Sequence, residues 1–248
     1  MKRIVILAAV CAALGTGVVL AAGASDNKNC DNSRRVTRTV SVSNFSGIDA
    51  SLGVDVVYTP SSVVSATVEA PEALMPYVRV DQRGEMLNIT IAGDNKGKMC
   101  GKVRVRLSAP LVNTYMVSTS AEVKVKGTVE AGNRNLTIKA TTSGEVDIAS
   151  VTCKDLIINA DTSADVDIEN VTARTVTATA TTSGDIELKG ETSVVTLTAD
   201  TSGEIDASRL TAVSGTASAN TSGTVECRVT GKFTNRTSTG GTVTNATY

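Results

Sequence analysis

The tripeptide Thr-Ser-Gly, or Thr-Ser-Ala, recurs at nearly constant intervals, and this repeat limits the possible folds of the 248-residue chain more than any other feature. The serines of successive repeats are separated by 23, 20, 20, 19 and 20 residues. They are Ser120, Ser143, Ser163, Ser183, Ser202 and Ser222. A period of about 20 residues is typical of a solenoid, in which each repeat forms one coil of a stack.

Each repeat carries the same pattern of apolar residues around its serine. They lie five and three residues before the serine and three and five residues after it, and in four repeats also seven before it, so polar and apolar residues alternate. The position three after the serine holds Val123, Val146, Val166, Ile186, Ile205 and Val225. Alternation predicts β-strands with one buried face. Stacked coils place each residue ~4.8 Å from its counterpart, so the apolar columns form one continuous core.

The sequence therefore predicts an all-β fold, a β-solenoid that extends over residues 39–248 and is most regular from 111 to 230. A β-sandwich also uses short alternating strands, but it does not predict a nearly constant interval. We expect two strands to flank each Thr-Ser-Gly corner. The glycine should supply a positive φ or a close backbone approach, and the hydroxyl groups should satisfy backbone groups of the corner.

The chain begins with the features of a secretory signal peptide. Two basic residues precede an uncharged apolar segment, and Ala22 and Ala24 form an A-x-A cleavage site. We predict a signal peptide over residues 1–24 and a polar linker over 25–38. The alternative is an uncleaved membrane anchor, because the apolar segment is just long enough to span a bilayer. Cleavage predicts an exported protein without a transmembrane segment, located in the periplasm, on the outer membrane surface or outside the cell.

The composition argues against several classes of function. The chain has no His, no Trp, two Phe and four Tyr, and its formal net charge is −1. The lack of His removes the commonest general base and zinc ligand. The scarcity of aromatic residues and the charge argue against grooves that stack on sugars and against binding of nucleic acid.

The four cysteines that follow the signal segment are restricted in their pairing by the predicted fold. Cys227 belongs to an inward column, whereas Cys153 lies ten residues after Ser143, past the predicted strand. Their separation of nearly four coils corresponds to roughly 18 Å along the stack, and a disulfide requires Cα atoms within about 7 Å. Cys30 and Cys100 form the one pairing that the sequence leaves possible, in an oxidising compartment.

Two acidic columns are predicted side by side on an outer face, two and four residues after each serine. Stacked carboxylates ~5 Å apart repel each other, and a divalent cation would relieve that repulsion. We predict a low-affinity Ca²⁺ stripe, and no other cofactor, on Asp147, Asp165, Asp167, Asp185, Glu187 and Asp206. The alternative is a solvated face without an ion. Glycosidases also use two carboxylates at about 5–9.5 Å, but nothing distinguishes one pair here from the others.

A second outer face carries a T-x-T pattern over three coils. It consists of Thr177, Thr179, Thr196, Thr198, Thr216 and Ser218. The pattern resembles the flat ice-binding face of some β-helical antifreeze proteins, although Lys139, Ile157 and Asn159 interrupt it in the preceding coils. Thr is also simply favourable on an exposed strand, which is the alternative interpretation.

The segment that precedes the repeats carries a family resemblance. FSGIDASLGVDVVYTP contains Phe45, Gly47, Ile48, Gly53, Val54, Asp55 and Val56, and it is followed by LNITI at 87–91 and KVRVRLSAP at 102–110. Together with the coil repeats, this order resembles the head GIN domain family of putative auto-transporter adhesins of Gram-negative bacteria. The resemblance covers roughly residues 40–248. It implies a right-handed β-helix-like fold, export and an association with adhesion, and it supplies no catalytic residues.

These observations lead to one main hypothesis and two alternatives. The main hypothesis is a non-enzymatic, adhesin-like binding or structural module of the cell envelope that offers flat β-faces to an unknown partner. A periplasmic or surface scaffold without a ligand is the first alternative. A carbohydrate-active enzyme is the second, and it would require a groove lined by convergent carboxylates and Tyr rather than a flat face.

Overall fold

The computed structural model describes residues 34–93 and 101–246, and in these ranges the chain forms a single sheet of 17 strands. The helical content of the described residues is one 3-10 turn at Met75–Tyr77. The strands are β1 (Arg35–Val40), β2 (Gly47–Ser51), β3 (Val54–Pro60), β4 (Ser65–Pro71), β5 (Val78–Arg83), β6 (Met86–Ile91), β7 (Val103–Ala109), β8 (Thr114–Ser118), β9 (Glu122–Glu130), β10 (Leu136–Thr141), β11 (Glu145–Asp161), β12 (Asp165–Thr181), β13 (Asp185–Asp200), β14 (Glu204–Ala219), β15 (Thr224–Val229), β16 (Phe233–Thr237) and β17 (Thr242–Asn245).

The repeats stack as parallel coils of a β-solenoid, which confirms the predicted fold class. Val146 pairs with Val166, Val166 with Ile186, and Ile186 with Ile205, as the sequence predicts. Each of these side chains is fully buried. Because a coil buries its apolar face only against its neighbours, the stability of the stack resides in these contacts. Burial of each Val, Ile or Leu contributes about 1.5–3 kcal/mol.

The regular coils differ from the prediction in how far their strands extend. β11 to β14 are 16 or 17 residues long and run from one Thr-Ser corner to the next. The prediction that Cys153 lies past the strand is therefore wrong: it lies within β11, is paired with Ala173 and is 6% exposed. The inward position predicted for Cys227 is confirmed, because its exposure is 1%.

The Thr-Ser corners have an unusual backbone. Both residues adopt a left-handed conformation at every corner, with φ of 56° and 58° at Thr162 and Ser163. The following glycine does not have a positive φ, so that part of the prediction is wrong. Its close approach is confirmed, because a Cβ at Gly203 would lie 2.3 Å from the carbonyl O of Ala180.

The corner hydroxyl groups do not have the predicted structural role. The backbone groups of successive corners pair with each other, as the amide N of Ser163 donates to the carbonyl O of Thr182 at 3.1 Å. The Thr and Ser side chains of the corners are exposed. The corners therefore form a ladder of backbone hydrogen bonds with a row of hydroxyl groups outside it.

The N-terminal coils are stacked out of chain order, which the repeat pattern does not predict. β2 lies between β6 and β8, and β3 lies between β7 and β9. The coil that comes first in the chain is thus second in the stack. Antiparallel strands then cover the open end, because β5 pairs with β6, β4 pairs with β7, and β1 pairs with β4.

Of the predicted N-terminal segments, only the end of the linker lies within the described residues. β1 begins at Arg35, so the predicted linker over 25–38 is wrong for its last four residues. The signal segment 1–24 with Ala22 and Ala24, and the cysteines Cys30 and Cys100, lie outside the described residues and stay predictions. The described residues contain no helix of a length and hydrophobicity sufficient to cross a bilayer.

The C-terminal end of the described stack is polar where the other coils are apolar. Asn235 and Thr237 pair with the buried Ala217 and Ala219 of the coil before, but both are exposed. The side chain of Asn245 accepts from the amide N of Val229 at 2.8 Å and donates to its carbonyl O at 3.1 Å. The side-chain amide of Asn245 thus takes the place of a backbone amide, because it pairs with Val229 as the next residue of a parallel strand would.

Candidate functional site

The acidic face consists of two outward columns formed by the first part of β9 and β11 to β15. The first column is Glu122, Glu145, Asp165, Asp185 and Glu204, and the second is Lys124, Asp147, Asp167, Glu187, Asp206 and Glu226. Residues of neighbouring coils are paired directly in the sheet, so like charges stand one above the other. The six predicted cation ligands all lie on this face, as the alternation requires.

Burial, together with repulsion between neighbouring carboxylates, raises the pKa of several acidic side chains on this face. Burial, followed by the charges of Glu122, Asp147 and Asp165, raises the pKa of Glu145. Burial is also the main cause of the raised pKa values of Asp165, Asp167 and Asp185, with neighbouring carboxylates contributing to each. The face therefore holds its negative charge at a cost to the folded state.

Several carboxylates of the acidic face already have partners. Asp147 forms an ion pair of 2.8 Å with Lys124, and Glu187 is paired with Arg209 and, at 3.2 Å, with Lys189. Asp206 accepts a hydrogen bond of 2.6 Å from the hydroxyl of Ser208. These partners satisfy three of the six predicted cation ligands. Asp165, Asp167 and Asp185 have no basic side chain in contact within residues 34–93 and 101–246.

The tightest group of carboxylates differs from the predicted set. Glu122, Glu145 and Asp147 bring one oxygen each within 4.8 Å of one another, and of these only Asp147 was predicted. Glu122 and Glu145 belong to the first acidic column, so the signal was present in the sequence. The Ca²⁺ stripe stays a prediction. It would be supported if millimolar CaCl₂ raised the melting temperature more than NaCl of equal ionic strength, since ligand binding stabilises the folded state.

We expect the acidic face to make stability depend on pH. A carboxyl group whose pKa is raised on folding favours the folded state while it is protonated, and this contribution is lost as pH rises through the folded pKa. The double variant Asp165→Asn with Asp185→Asn removes two such groups. The free energy of unfolding of the variant should therefore increase relative to that of the wild type as the pH rises from 4 to 7. Urea unfolding at each pH measures this difference.

The experiment separates this effect from that of the other carboxylates. The hydrogen bond and charge of Arg174 lower the pKa of Asp155, so Asp155 makes the folded state more stable as the pH rises. Because Asp155 is present in both proteins, its contribution cancels when the variant is compared with the wild type. A difference between wild type and variant that does not change from pH 4 to pH 7 would contradict the prediction.

The hydroxyl face consists of the predicted T-x-T residues, and the structure brings them together. Thr177 pairs with Thr196 and Thr196 with Thr216, while the column beside them is Thr179, Thr198 and Ser218. All six side chains point outward, between buried residues of β12 to β14. The complete T-x-T pattern covers three coils. Ile157 and Asn159 occupy the two columns in the coil before, and Arg236 interrupts the second column in the coil after, beside Thr234.

The reactive residue types of the described chain are positioned for structure rather than chemistry. Tyr58 and Tyr115 are fully buried, and the hydroxyl of Tyr58 donates to the carbonyl O of Ala109 at 3.0 Å and accepts from the amide N of Val112 at 3.1 Å. Burial raises the pKa of Cys153 and that of Cys227 to about 11, so both thiols stay protonated and unreactive. Lys124, Asp147 and Asp167 of the acidic face line a pocket of about 350 Å³, and no Tyr is among the described residues that line it.

A stack of parallel coils with polar columns along its outer faces defines a β-solenoid. The chain belongs to the family described as "Putative auto-transporter adhesin, head GIN domain", whose model matches residues 44–169 and 138–247. The resemblance seen in the sequence is thereby confirmed.

Solved structures of similar fold include three proteins from species of Parabacteroides. A putative lipid binding protein from Parabacteroides distasonis has a TM-score of 0.78 at 17% identity, over 88% of this chain and 98% of its own. A putative adhesin from Parabacteroides merdae has a TM-score of 0.74 at 18% identity, over 88% and 98%. A putative adhesin from P. distasonis has a TM-score of 0.75 at 20% identity, over 87% and 98%. No curated protein matches the chain.

Proposed function

We propose that the protein is an exported, non-enzymatic binding module of the bacterial envelope or cell surface, and that its flat β-faces contact the partner. The observation that carries the proposal is the in-register stacking of β11 to β14, which holds the acidic face and the hydroxyl face rigid over successive coils. Family membership and the adhesins among the structural neighbours support a role in adhesion.

The two faces suit partners of different chemistry. The acidic face offers Asp165 and Asp185 without basic partners, so it suits a cationic surface. The hydroxyl face is uncharged and offers donors and acceptors at a regular spacing of ~4.8 Å, so it suits a repetitive polar surface. A scaffold without a ligand remains the alternative, in which both faces are simply solvated.

The test combines localisation with variants of each face. Protease treatment of intact cells that produce the protein determines whether it is exposed, and attachment of these cells to host-cell or matrix-coated surfaces measures adhesion. The face variants are Asp165→Lys with Asp185→Lys, and Thr196→Lys with Thr216→Lys, all at exposed positions. Thr172→Lys with Thr211→Lys is the matched control, because both residues are exposed outside these two faces.

We expect the protein to be cleaved on intact cells and one face variant to reduce attachment at least about tenfold, which corresponds to roughly 1.4 kcal/mol. The control should attach like the wild type. The two Thr variants should keep the wild-type melting temperature, and Asp165→Lys with Asp185→Lys should melt at the wild-type temperature or above it, because it removes two carboxylates with raised pKa values. Equal attachment of every variant and of cells that lack the protein would favour the scaffold. Protection from protease on intact cells would place the protein in the periplasm.

A further inference from the structure

A cleft of about 530 Å³ opens beside the N-terminal coils, away from the acidic and hydroxyl faces. This volume lies within the range of about 300–1,000 Å³ that is typical of small-molecule sites. The cleft is lined by Glu130 at the end of β9 and by loop or turn residues that precede β2, β6, β8 and β10. In the regular coils the same corner is crossed by continuous strand, as in β11 from Val151 to Leu156. The cleft therefore exists only where the coils are joined by loops.

One wall of the cleft is built by an insertion into the repeat. Five residues separate Glu130 from Leu136, whereas three separate their partners Thr152 and Leu156 in the next coil. The two extra residues account for most of the interval of 23 that stands out in the sequence. They project the exposed turn 132–135, which carries Arg134, beside the cleft.

The cleft combines an apolar floor with charges of both signs. Phe45, Leu111 and Ala131 are buried or half-buried and form the floor, while Glu130 and Arg134 are exposed at the rim. Within the described ranges, the side chains of Glu130 and Arg134 make no hydrogen bond or ion pair. A carboxylate and a guanidinium that line one cleft, neither with a partner among the described residues, suit a ligand that carries both an ammonium and a carboxylate group.

The second carboxylate of the cleft is held differently. The hydroxyl of Ser46 donates a hydrogen bond to Oε2 of Glu85 at 2.5 Å, so the Glu85 side chain already has a partner within the cleft. Glu85 adds negative potential on the same side, and Glu130 remains the group available to an ammonium. Arg134 is the only basic residue that lines the cleft among the described residues.

We propose that this cleft binds a zwitterionic small molecule, namely an α-amino acid or a short peptide with an apolar side chain. Arg134 holds the carboxylate, Glu130 holds the ammonium group, and the side chain rests on Leu111 and Ala131. The proposal is independent of the adhesive role, because the cleft lies on neither of the faces that the function tests alter.

The experiment titrates the full chain with leucine, leucinamide and N-acetyl-leucine and follows binding by calorimetry or NMR shifts. Leucinamide lacks the carboxylate and N-acetyl-leucine lacks the ammonium group. We expect leucine to bind at least about tenfold more tightly than either, the difference that a charged hydrogen bond of about 1.5–3 kcal/mol produces. Arg134→Gln should abolish the preference over leucinamide, and Glu130→Gln the preference over N-acetyl-leucine.

The matched control is Arg236→Gln, which removes an exposed arginine from the last coil. This variant should bind like the wild type. Equal affinity for all three probes, no binding of leucine at tens of millimolar, or equal losses in Arg134→Gln and Arg236→Gln would each overturn the proposal. Because none of these variants touches the core, wild-type melting temperatures should accompany all of them.

Discussion

Replacing Ile186 by Asp should destabilise the protein by at least about 4 kcal/mol and lower its melting temperature by more than about 10 °C. Ile186 is fully buried, between Val166 and Ile205 in the stack. The substitution removes apolar contacts on both sides and places a carboxylate among apolar side chains. Because every coil depends on its neighbours, the loss extends beyond one coil.

The neighbouring residue provides the control. Asp185 precedes Ile186 in β13 and points outward, so Asp185→Asn should leave the melting temperature at neutral pH unchanged or slightly higher. Thermal unfolding of both variants, followed by circular dichroism, makes the comparison. Equal melting temperatures for the two variants would show that the inward and outward faces have been assigned incorrectly.

Gly190→Ala should destabilise the protein by about 3 kcal/mol or more. Gly190 has a φ of 125°, and a Cβ there would lie 2.2 Å from the carbonyl O of Val171. The coil that contains it is one residue short, since one residue separates Leu188 from Gly190 where two separate Ile168 from Val171. Only glycine lets the shortened backbone pass so close to the coil below.

Gly84→Ala is the matched control for this prediction. Gly84 also has a positive φ, of 60°, but a Cβ there would meet nothing within 4 Å. It should cost about 1–2 kcal/mol, the cost of a left-handed conformation alone. Urea unfolding of the two variants separates the contribution of the conformation from that of the close contact. Equal losses would show that the contact at Val171 relaxes without cost.

The regular coils were predictable from the sequence because their apolar columns depend on local spacing. Alternation fixed the inward residues of β11 to β14 and the outward position of every predicted acidic residue. The same reasoning did not predict the corner, because Thr and Ser are uncommon in the left-handed conformation and Gly was the expected residue there. The interval of 19 did contain information, since it marks the coil that Gly190 shortens.

The N-terminal coils and the cleft were not predictable because they depend on contacts distant in sequence. Nothing in the local pattern of 47–60 indicates that it lies between 86–91 with 103–109 on one side and 114–130 on the other. The role of Arg134 depends on that arrangement. The interval of 23 was a signal for the inserted wall, but only the stacked coils show which loops it faces.

The exchanged order of the first two coils has a consequence for how the chain folds. In the regular stack, partners lie about 20 residues apart in sequence, as Ile186 and Val166 do. Val57 instead pairs with Lys124, 67 residues further along. Closing the longer loop costs more entropy, so we expect folding to begin in the regular coils. Residues 47–60 have neighbours on both sides only once the chain has reached residue 125, so the order of the coils in the stack departs from their order in the chain here.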